Sequence, residues 1–408
     1  MLGAGIVGTS VAVHLVKRGL SVALVERSGV GEGTSYGNAG IIEGNTIFPQ
    51  AFPSDWPTLI AIALKRSPLA NYHLTFLPRV APWLVAFRAA SQPAQLIETA
   101  QLMRPLFARA VAEHDALSTE AGAERYLHRG GWLKLYRSDR AFAGAARELA
   151  LAASLGIANV PLDTDAAREL EPSLAPVFRH AVHWTGAVSV TNPLALTQAY
   201  AARFAAIGGV TLVGDARTLH RAGPYWRVDT AAGPLDAGDV VLALGPWLND
   251  VLGPVGIKLP LAVKRGYHRH FRAQGNAALS RPVLDVENGY CLVPMEQGIR
   301  LTTGVEFAAR DAAPTPVQLE RVIPAARELL ALGEAVEPQP WLGARPCFPD
   351  SRPVISRAPQ SRGLWLACGH SHWGLTLGPA TGRLIAELMT GATPFCDPKP
   401  YAAERFMA

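Results

Sequence analysis

The chain has 408 residues, 49% of them apolar, and carries 38 Lys+Arg against 33 Asp+Glu for a formal charge of +5. That length and apolar content allow a large core and at least two domains. The basic excess is spread along the chain with no basic block, which excludes nucleic acid as a partner and leaves open an anionic small molecule or an acidic membrane surface.

The sequence opens MLGAGIVG, in which Gly3, Gly5 and Gly8 complete a G-x-G-x-x-G pattern. TSVAVHLVKRG follows as a helix that Gly19 ends. SVALVE then reads as a strand buried on both faces, with Glu26 at its end. Strand, glycine turn, helix, strand and acid is the Rossmann order. The glycines permit a tight turn and close approach of a pyrophosphate, whose charge the helix N-terminus stabilises, while Glu26 accepts from ribose hydroxyls. An acid at that point disfavours a 2′-phosphate, so FAD or NAD is expected over NADP. Only the first strand is short. Met1 and Leu2 read as its last residues, and further apolar residues are expected upstream of them.

GEGTSYGNAG (31–40) is small and polar enough to wrap a diphosphate and reach an isoalloxazine ring, which favours FAD. From residue 45 to about 140 the rhythm breaks. There Phe48, Phe52, Trp56, Phe76, Trp83 and Phe87 lie beside Lys65, Arg66, Arg79 and Arg88. This mixture suits an interfacial membrane anchor, which presents Trp56 and Trp83, or a helical cover over a substrate entrance, which buries them. The α/β pattern resumes with the helix NPLALTQAYAARFAAIGG, the strand VTLV, a hairpin through YWRVDTAAGPLDAG and the buried strand DVVLAL. The strands YHRHF, GYCLVP and IRLTTG precede the helix PAARELLAL, and GLWLACGHSHWGLTLGPATGRLIAELMTG closes the pattern with strand, turn and helix. The expected fold class is α/β. A Rossmann-like FAD-binding domain (1–44, 140–256 and 342–408) is interrupted twice by a mixed-sheet α+β substrate domain (45–139 and 257–341).

Cys291, Cys347, Cys368 and Cys396 form no Cys-x-x-Cys pair, which fits reduced thiols. No apolar run reaches the roughly 18 residues of a spanning helix. The opening lacks the features of a secretory leader, so a cytoplasmic location is expected, with or without peripheral contact at the inner membrane. His268 with His270, and His370 with His372, have no Cys or carboxylate set spaced to complete a metal site, so no metal is expected. His268 or His370 is expected to line the pocket and His372 to be structural.

TSYGNAG after Glu26, ALGPW (243–247) and RPCFPDSRPVI…GLWLACGHSHWGLTLGPATGRL resemble bacterial D-amino acid dehydrogenases, and more broadly the D-amino acid oxidase-type flavoproteins, over nearly the whole chain. The resemblance implies a glutathione-reductase-type flavoprotein holding FAD non-covalently. It assigns Gly3, Gly5, Gly8, Glu26 and Arg27 to the ADP half of the cofactor. Thr34, Ser35, Asn38, Ala39 and Gly40 match the loop along the diphosphate and flavin, and Val213 falls near the strand that meets adenine. Ala243, Leu244 and Gly245 match a closing turn, while Gly369, His370, Trp373, Gly374, Leu375 and Thr376 match the loop opening the last helix. Arg345 matches the arginine that grips a substrate carboxylate, a task its two-point fork suits. Tyr290 matches a tyrosine on the same carboxylate, and His370 joins them as a catalytic candidate. The implied reaction is oxidation at Cα of a D-amino or cyclic imino acid such as D-hydroxyproline, with hydride transfer to flavin N5 and electrons passed to a quinone or other carrier. Other readings are an oxygen-using glycine, sarcosine or D-amino acid oxidase, an electron-relay subunit of a hetero-complex, and an NAD-dependent dehydrogenase.

Overall fold

The computed structural model describes residues 1–43 and 49–407. Helix α1 (Ile6–Lys17) begins directly after the glycine turn, and Gly19 follows it with φ of 81°. The strand Ala23–Glu26 runs parallel to Val210–Ala222, whose hairpin continues through Tyr225–Thr230 and Gly233–Ala237. On the other side lie Val240–Leu242, Leu364–Cys368 and Val354–Arg357. Leu2 joins the two groups through parallel bridges to Val25 and Leu242, where the end of a central first strand belongs. The Leu2 N–H donates to Val241 O and its carbonyl accepts from Ala243 N–H, each at 2.9 Å.

Helices pack over this sheet. The last helix of the chain (Gly374–Met389) crosses α1 closely because it carries glycines at the contact. A β-carbon at Gly378 would stand 3.2 Å from Ile6, and one at Gly382 2.7 Å from the Ser10 backbone. The crossing brings the N-termini of both helices to one cavity. Helix α2 (Pro93–Glu120) lies against the last helix and buries Met103, Leu106 and Phe107 there.

The second sheet has ten strands. Its main path runs Leu332–Ala335, Ala262–Ala273, Gly298–Phe307, Tyr290–Met295, Val283–Asp285, Trp132–Tyr136, His180–Trp184 and Asn159–Asp163, with Trp341–Cys347 and Ala70–Tyr72 paired onto it. Helix Val317–Leu329 packs beneath, closing a core of Tyr267, Phe271, Tyr290 and Leu292. This corrects the expected domain limits. Residues 159–184 and Trp341–Cys347 belong to the substrate sheet, because their strands complete its ladder. Pro93–Glu120 belongs with the dinucleotide side, because its apolar face is buried against the last helix.

The α/β class stands as expected, with a Rossmann-like layer facing a mixed sheet. Among the described residues no helix is long and apolar enough to cross a membrane.

Candidate active site

A cavity of about 950 Å³ runs between the two sheets, at the upper end of the range for ligand pockets. Gly3, Gly5, Ile6 and Val7 form its wall at the start of α1. Gly3 has φ of 97°, and a β-carbon there would stand 2.6 Å from Ala243 O, so the turn excludes any larger residue. At Gly5 a β-carbon would meet only the Ser35 hydroxyl, at 3.1 Å, with the cavity beyond it. Gly8 is not on the wall. Its Cα packs against the Gly3 carbonyl, which a side chain would overlap, so Gly8 shapes the turn from behind.

Glu26 and Arg27 line the cavity at the end of their strand. Glu26 Oε2 accepts from Ala4 N–H at 2.8 Å and Oε1 from Arg27 N–H at 2.8 Å, which fixes the carboxylate beside the glycine turn. Thr34, Ser35, Asn38 and Ala39 continue the wall, and Ser35 Oγ accepts from Ile6 N–H at 2.9 Å. Gly40 (φ 68°) sits behind them against Val190 O, accepting no side chain and donating to Asn38 Oδ1 at 2.8 Å. Ala243 and Gly245 close over the same space.

The expectation at Val213 is corrected by one residue. Val213 pairs with Glu26, its side chain faces solvent, and its carbonyl is taken by Ala231 N–H at 2.8 Å. The wall there is formed by Gly214, Asp215, Ala216 and Arg217.

At the start of the last helix, Gly369, His370, Gly374 and Leu375 line the cavity. The first-turn N–H groups of the last helix lack intrahelical acceptors and open onto it, ready to stabilise negative charge. Trp373 and Thr376 stand behind. Trp373 packs in the core against Phe107, and Thr376 Oγ1 donates to Ile41 O at 3.0 Å. His370 Nε2 is hydrogen-bonded to Thr381 Oγ1 at 2.9 Å, and burial lowers its pKa to about 3. A neutral ring so held shapes the wall and is poorly placed to exchange protons. His372 also lines the cavity, neutralised by burial and by Arg345 and Lys264, with a pKa of about 3. That corrects the structural role expected for it. His268 lies off the cavity, stacked on Trp341 at 4.8 Å.

Arg345 opens onto the cavity from the strand Trp341–Cys347. Nη1 donates to Gly304 O at 2.9 Å, and no carboxylate pairs with the guanidinium among the described residues. Burial pulls its pKa down. A desolvated cation without a carboxylate partner is stabilised by an anion beside it.

Tyr290 does not join it. Alternation along Tyr290–Met295 turns Tyr290 into the core, where its hydroxyl donates to Ala325 O at 3.1 Å, and puts Cys291 on the cavity instead. Cys347 packs with Val80, Trp83 and Phe87 and lies off the cavity.

Two cavity residues escaped the sequence reading. Lys264, the register partner of Arg345, is 7% exposed, and its ammonium lies 4.0 Å from the Phe87 ring centroid and 5.1 Å from that of Trp83. Glu43 follows the cofactor loop, and burial raises its pKa to about 7. The signal for each was a lone charge inside an apolar stretch, AVKRG and GIIEG.

A glycine cradle at a helix N-terminus, an acid at the next strand end and a second helix N-terminus on the same cavity define a dinucleotide-binding oxidoreductase. The model of the family "FAD dependent oxidoreductase" (DAO) matches residues 2–388, and the chain belongs to that family. It is 30% identical to a glycine oxidase of Pseudomonas putida, over 99% of this chain and 97% of that protein. It is 29% identical to D-amino acid dehydrogenase 2 of Ralstonia nicotianae, over 99% of each. Glycine oxidase from Geobacillus kaustophilus superposes with a TM-score of 0.75 at 23% identity, covering 99% of this chain and 97% of that one. FAD is the cofactor, and the cradle fits it. The glycine turn at the start of α1, Glu26 and the wall between Asn38 and Leu375 line the cavity that would hold it.

Proposed function

We propose that this chain oxidises the Cα–N bond of an α-amino or cyclic imino acid, of D configuration, and passes the electrons to a quinone or another carrier. FAD supplies the two-electron acceptor at its N5. The observation that carries the reading is Arg345, a desolvated guanidinium without an acidic partner, opening onto the cofactor cavity. It holds the substrate carboxylate, and that grip orients the Cα–H bond; such positioning supplies much of the rate. Gly304 fixes one edge of the fork and leaves the other for substrate. The imino acid product hydrolyses to a 2-oxo acid and ammonia, or stays cyclic when the substrate is proline-like.

The test is anaerobic bleaching of the flavin by a panel of D- and L-amino acids, hydroxyproline isomers, glycine and sarcosine. Bleaching by D-amino or D-imino acids supports the reading; none by any of them rejects it. A second reading, an oxygen-using oxidase, is favoured by the similarity to glycine oxidases at the same level of identity. Stoichiometric peroxide in air would select it.

We further propose that the segment after residue 49 touches an anionic bilayer, where a quinone resides. Helix Trp56–Ala63 turns Leu59 and Ile62 toward the cavity and leaves Trp56 (75% exposed), Ile60 and Leu64 outside. Arg66, Arg79 and Arg88 are exposed nearby. Trp83 and Phe87 are buried against Lys264 and Cys347, so the segment carries features of both cover and anchor. Phe48 lies outside the described residues.

A further inference from the structure

Among the residues on the cavity wall, Arg27, Lys134, Arg217, Lys264 and Arg345 carry cations. Lys134 pairs with Glu148 and Arg217 with Asp215, each at 2.5 Å. Arg27 is exposed, so water satisfies it. Lys264 and Arg345 have no carboxylate partner among the described residues. Lys264 is almost wholly buried, and no group among those residues accepts a hydrogen bond from its ammonium. Its neighbours are the rings of Phe87 and Trp83, with centroids 4.0 and 5.1 Å away.

The two cations start from one place and part. Lys264 and Arg345 are directly opposed on antiparallel strands, so their side chains leave the same face with β-carbons about 5 Å apart. Arg345 runs over Gly266 toward Gly304 on the next strand. Lys264 turns the other way, to Trp83 and Phe87 of helix Leu77–Ala90, which pack with Ala262 and Cys347. Gly266 is two residues from Lys264, about 7 Å along the strand. The guanidinium and the ammonium therefore stand on the order of 10 Å apart. They act on each other at that range: burial lowers the pKa of the ammonium, Cys347 raises it and Arg345 lowers it. His372 is kept neutral by burial and by both cations.

The described residues supply no anion for the pair. Cys347 Sγ donates to Arg345 O at 3.5 Å and is a thiol there. Glu26, Asp215 and Asp250 are engaged by backbone N–H groups, by Arg217 and by Arg310, and the cation acting on Glu43 is Lys134. Phe52, Leu77, Leu84 and Phe87 make the wall beside the ammonium apolar, and a charge in such surroundings gains more from a counter-ion than one in water. An amino dicarboxylate the size of aspartate or glutamate, with a contact of about 2.8 Å at each end, spans roughly 10–12 Å between two cations. Its methylene groups suit the apolar wall.

We propose that Lys264 is the receptor for a second, side-chain carboxylate of the substrate, and that the chain selects acidic amino acids such as D-aspartate and D-glutamate. The inference rests on the Arg345 reading above. Arg345 takes the α-carboxylate with its planar fork, and Lys264 takes the distal carboxylate as a point charge. Lys264 is a specificity residue, and no bond is made or broken on it. Glycine and sarcosine carry no side-chain anion and leave the ammonium unpaired in an apolar wall. An acidic side chain removes that penalty, which separates the two classes of substrate.

Two measurements on the holoenzyme test the proposal. The first is kcat/KM for D-glutamate against D-glutamine and for D-aspartate against D-asparagine, pairs of the same shape. Wild type should prefer an acid over its amide by about ten- to a hundredfold, the contribution of a charge-assisted bond. Lys264→Arg should keep the preference, and Lys264→Met should bring the ratio near one. A wild type that prefers neither acid overturns the proposal. So does a Lys264→Met enzyme that loses acid and amide alike, since the ammonium would then serve the α-carboxylate or the fold. The second is binding of glutarate against pentanoate, read from the flavin absorbance. Wild type should bind glutarate about tenfold more tightly or better. If Lys264→Met does not fold or loses its flavin, this wild-type ratio decides, and equal binding overturns the proposal. Pentanoate that binds while glutarate gains nothing rejects the Lys264 role alone. Failure of both to bind, with no bleaching by any amino acid, overturns the Arg345 reading, and this one with it.

Discussion

Arg345 lies flat over Gly266, so close that a β-carbon at that glycine would stand 2.5 Å from Nη1. Strand Ala262–Ala273 thus supplies a bare patch of backbone as the bed for the guanidinium, and Gly304 O pins one end. The fork is held in place before any ligand arrives.

Arg345→Lys should therefore raise substrate KM by about ten- to a hundredfold, since a charge-assisted bond contributes roughly 1.5–3 kcal/mol. Gly266→Ala should act in the same direction by displacing the fork. FAD content, read from the absorbance ratio of purified protein, should hold in both. Unchanged steady-state kinetics in Arg345→Lys would remove that residue from the site.

Gly5 and Gly8 should fail differently. Gly8→Ala drives a methyl into the Gly3 carbonyl and should destabilise the apoprotein itself, by roughly 1–3 kcal/mol as overpacking does. Gly5→Ala meets only the Ser35 hydroxyl and the cavity, so apoprotein melting should be nearly unchanged while FAD affinity drops. Melting curves of the two apoproteins, with FAD titrations, separate the cases. Equal loss of apoprotein stability would contradict this division.

Acid should loosen the fold through His114. Its Nε2–H donates to Leu375 O at 2.7 Å, Tyr200 donates to Nδ1 at 2.9 Å, and burial lowers its pKa from 6.5 to about 4. The folded value lies below the unfolded one, so this stabilisation is complete above pH 6.5 and is lost as pH falls toward about 4. The loss between pH 6.5 and 5 should reach roughly 2 kcal/mol. His14, His370 and His372, lowered to about 3, act in the same sense. His114→Gln should flatten the dependence of Tm on pH over this window; an identical slope would reject the assignment.

The bilayer proposal is tested by flotation with anionic vesicles at moderate salt. Wild type should float, and Trp56→Ser with Arg79→Glu and Arg88→Glu should remain in the dense fraction with dye reduction retained. Wild type that stays dense, with quinone reduction intact in the charge-reversed protein, would rule the contact out.

Features that depend on local backbone demands were legible in the sequence. Gly3 needs positive φ, Gly8 needs contact with a carbonyl, and Glu26 ends a strand, so a short window held them all. Features decided by pairing were not. Whether Tyr290 or Cys291 faces the cavity turns on a one-residue register, and the same slip separates Val213 from Gly214. That Asn159–Asp163 and His180–Trp184 complete the substrate sheet depends on partners far along the chain. Glu43 and Lys264 stood in view as single charges, but only the fold reveals that they share one cavity wall and that neither has an ion pair among the described residues.

Arg300 has a consequence for how the two halves communicate. Its Nη1 donates to the Tyr36 and Asn38 carbonyls of the cofactor loop, at 3.0 and 2.5 Å, while its Nε donates to His270 Nε2 at 2.9 Å and His270 Nδ1 is hydrogen-bonded to Glu337. The substrate sheet thereby holds the loop that borders the flavin, and neither can shift without straining the other. Occupancy of one compartment should then be felt as affinity in the other, and linkage makes the effect mutual. A carboxylate lodged at Arg345 should lower the dissociation constant of the flavin by the same factor by which flavin tightens the carboxylate.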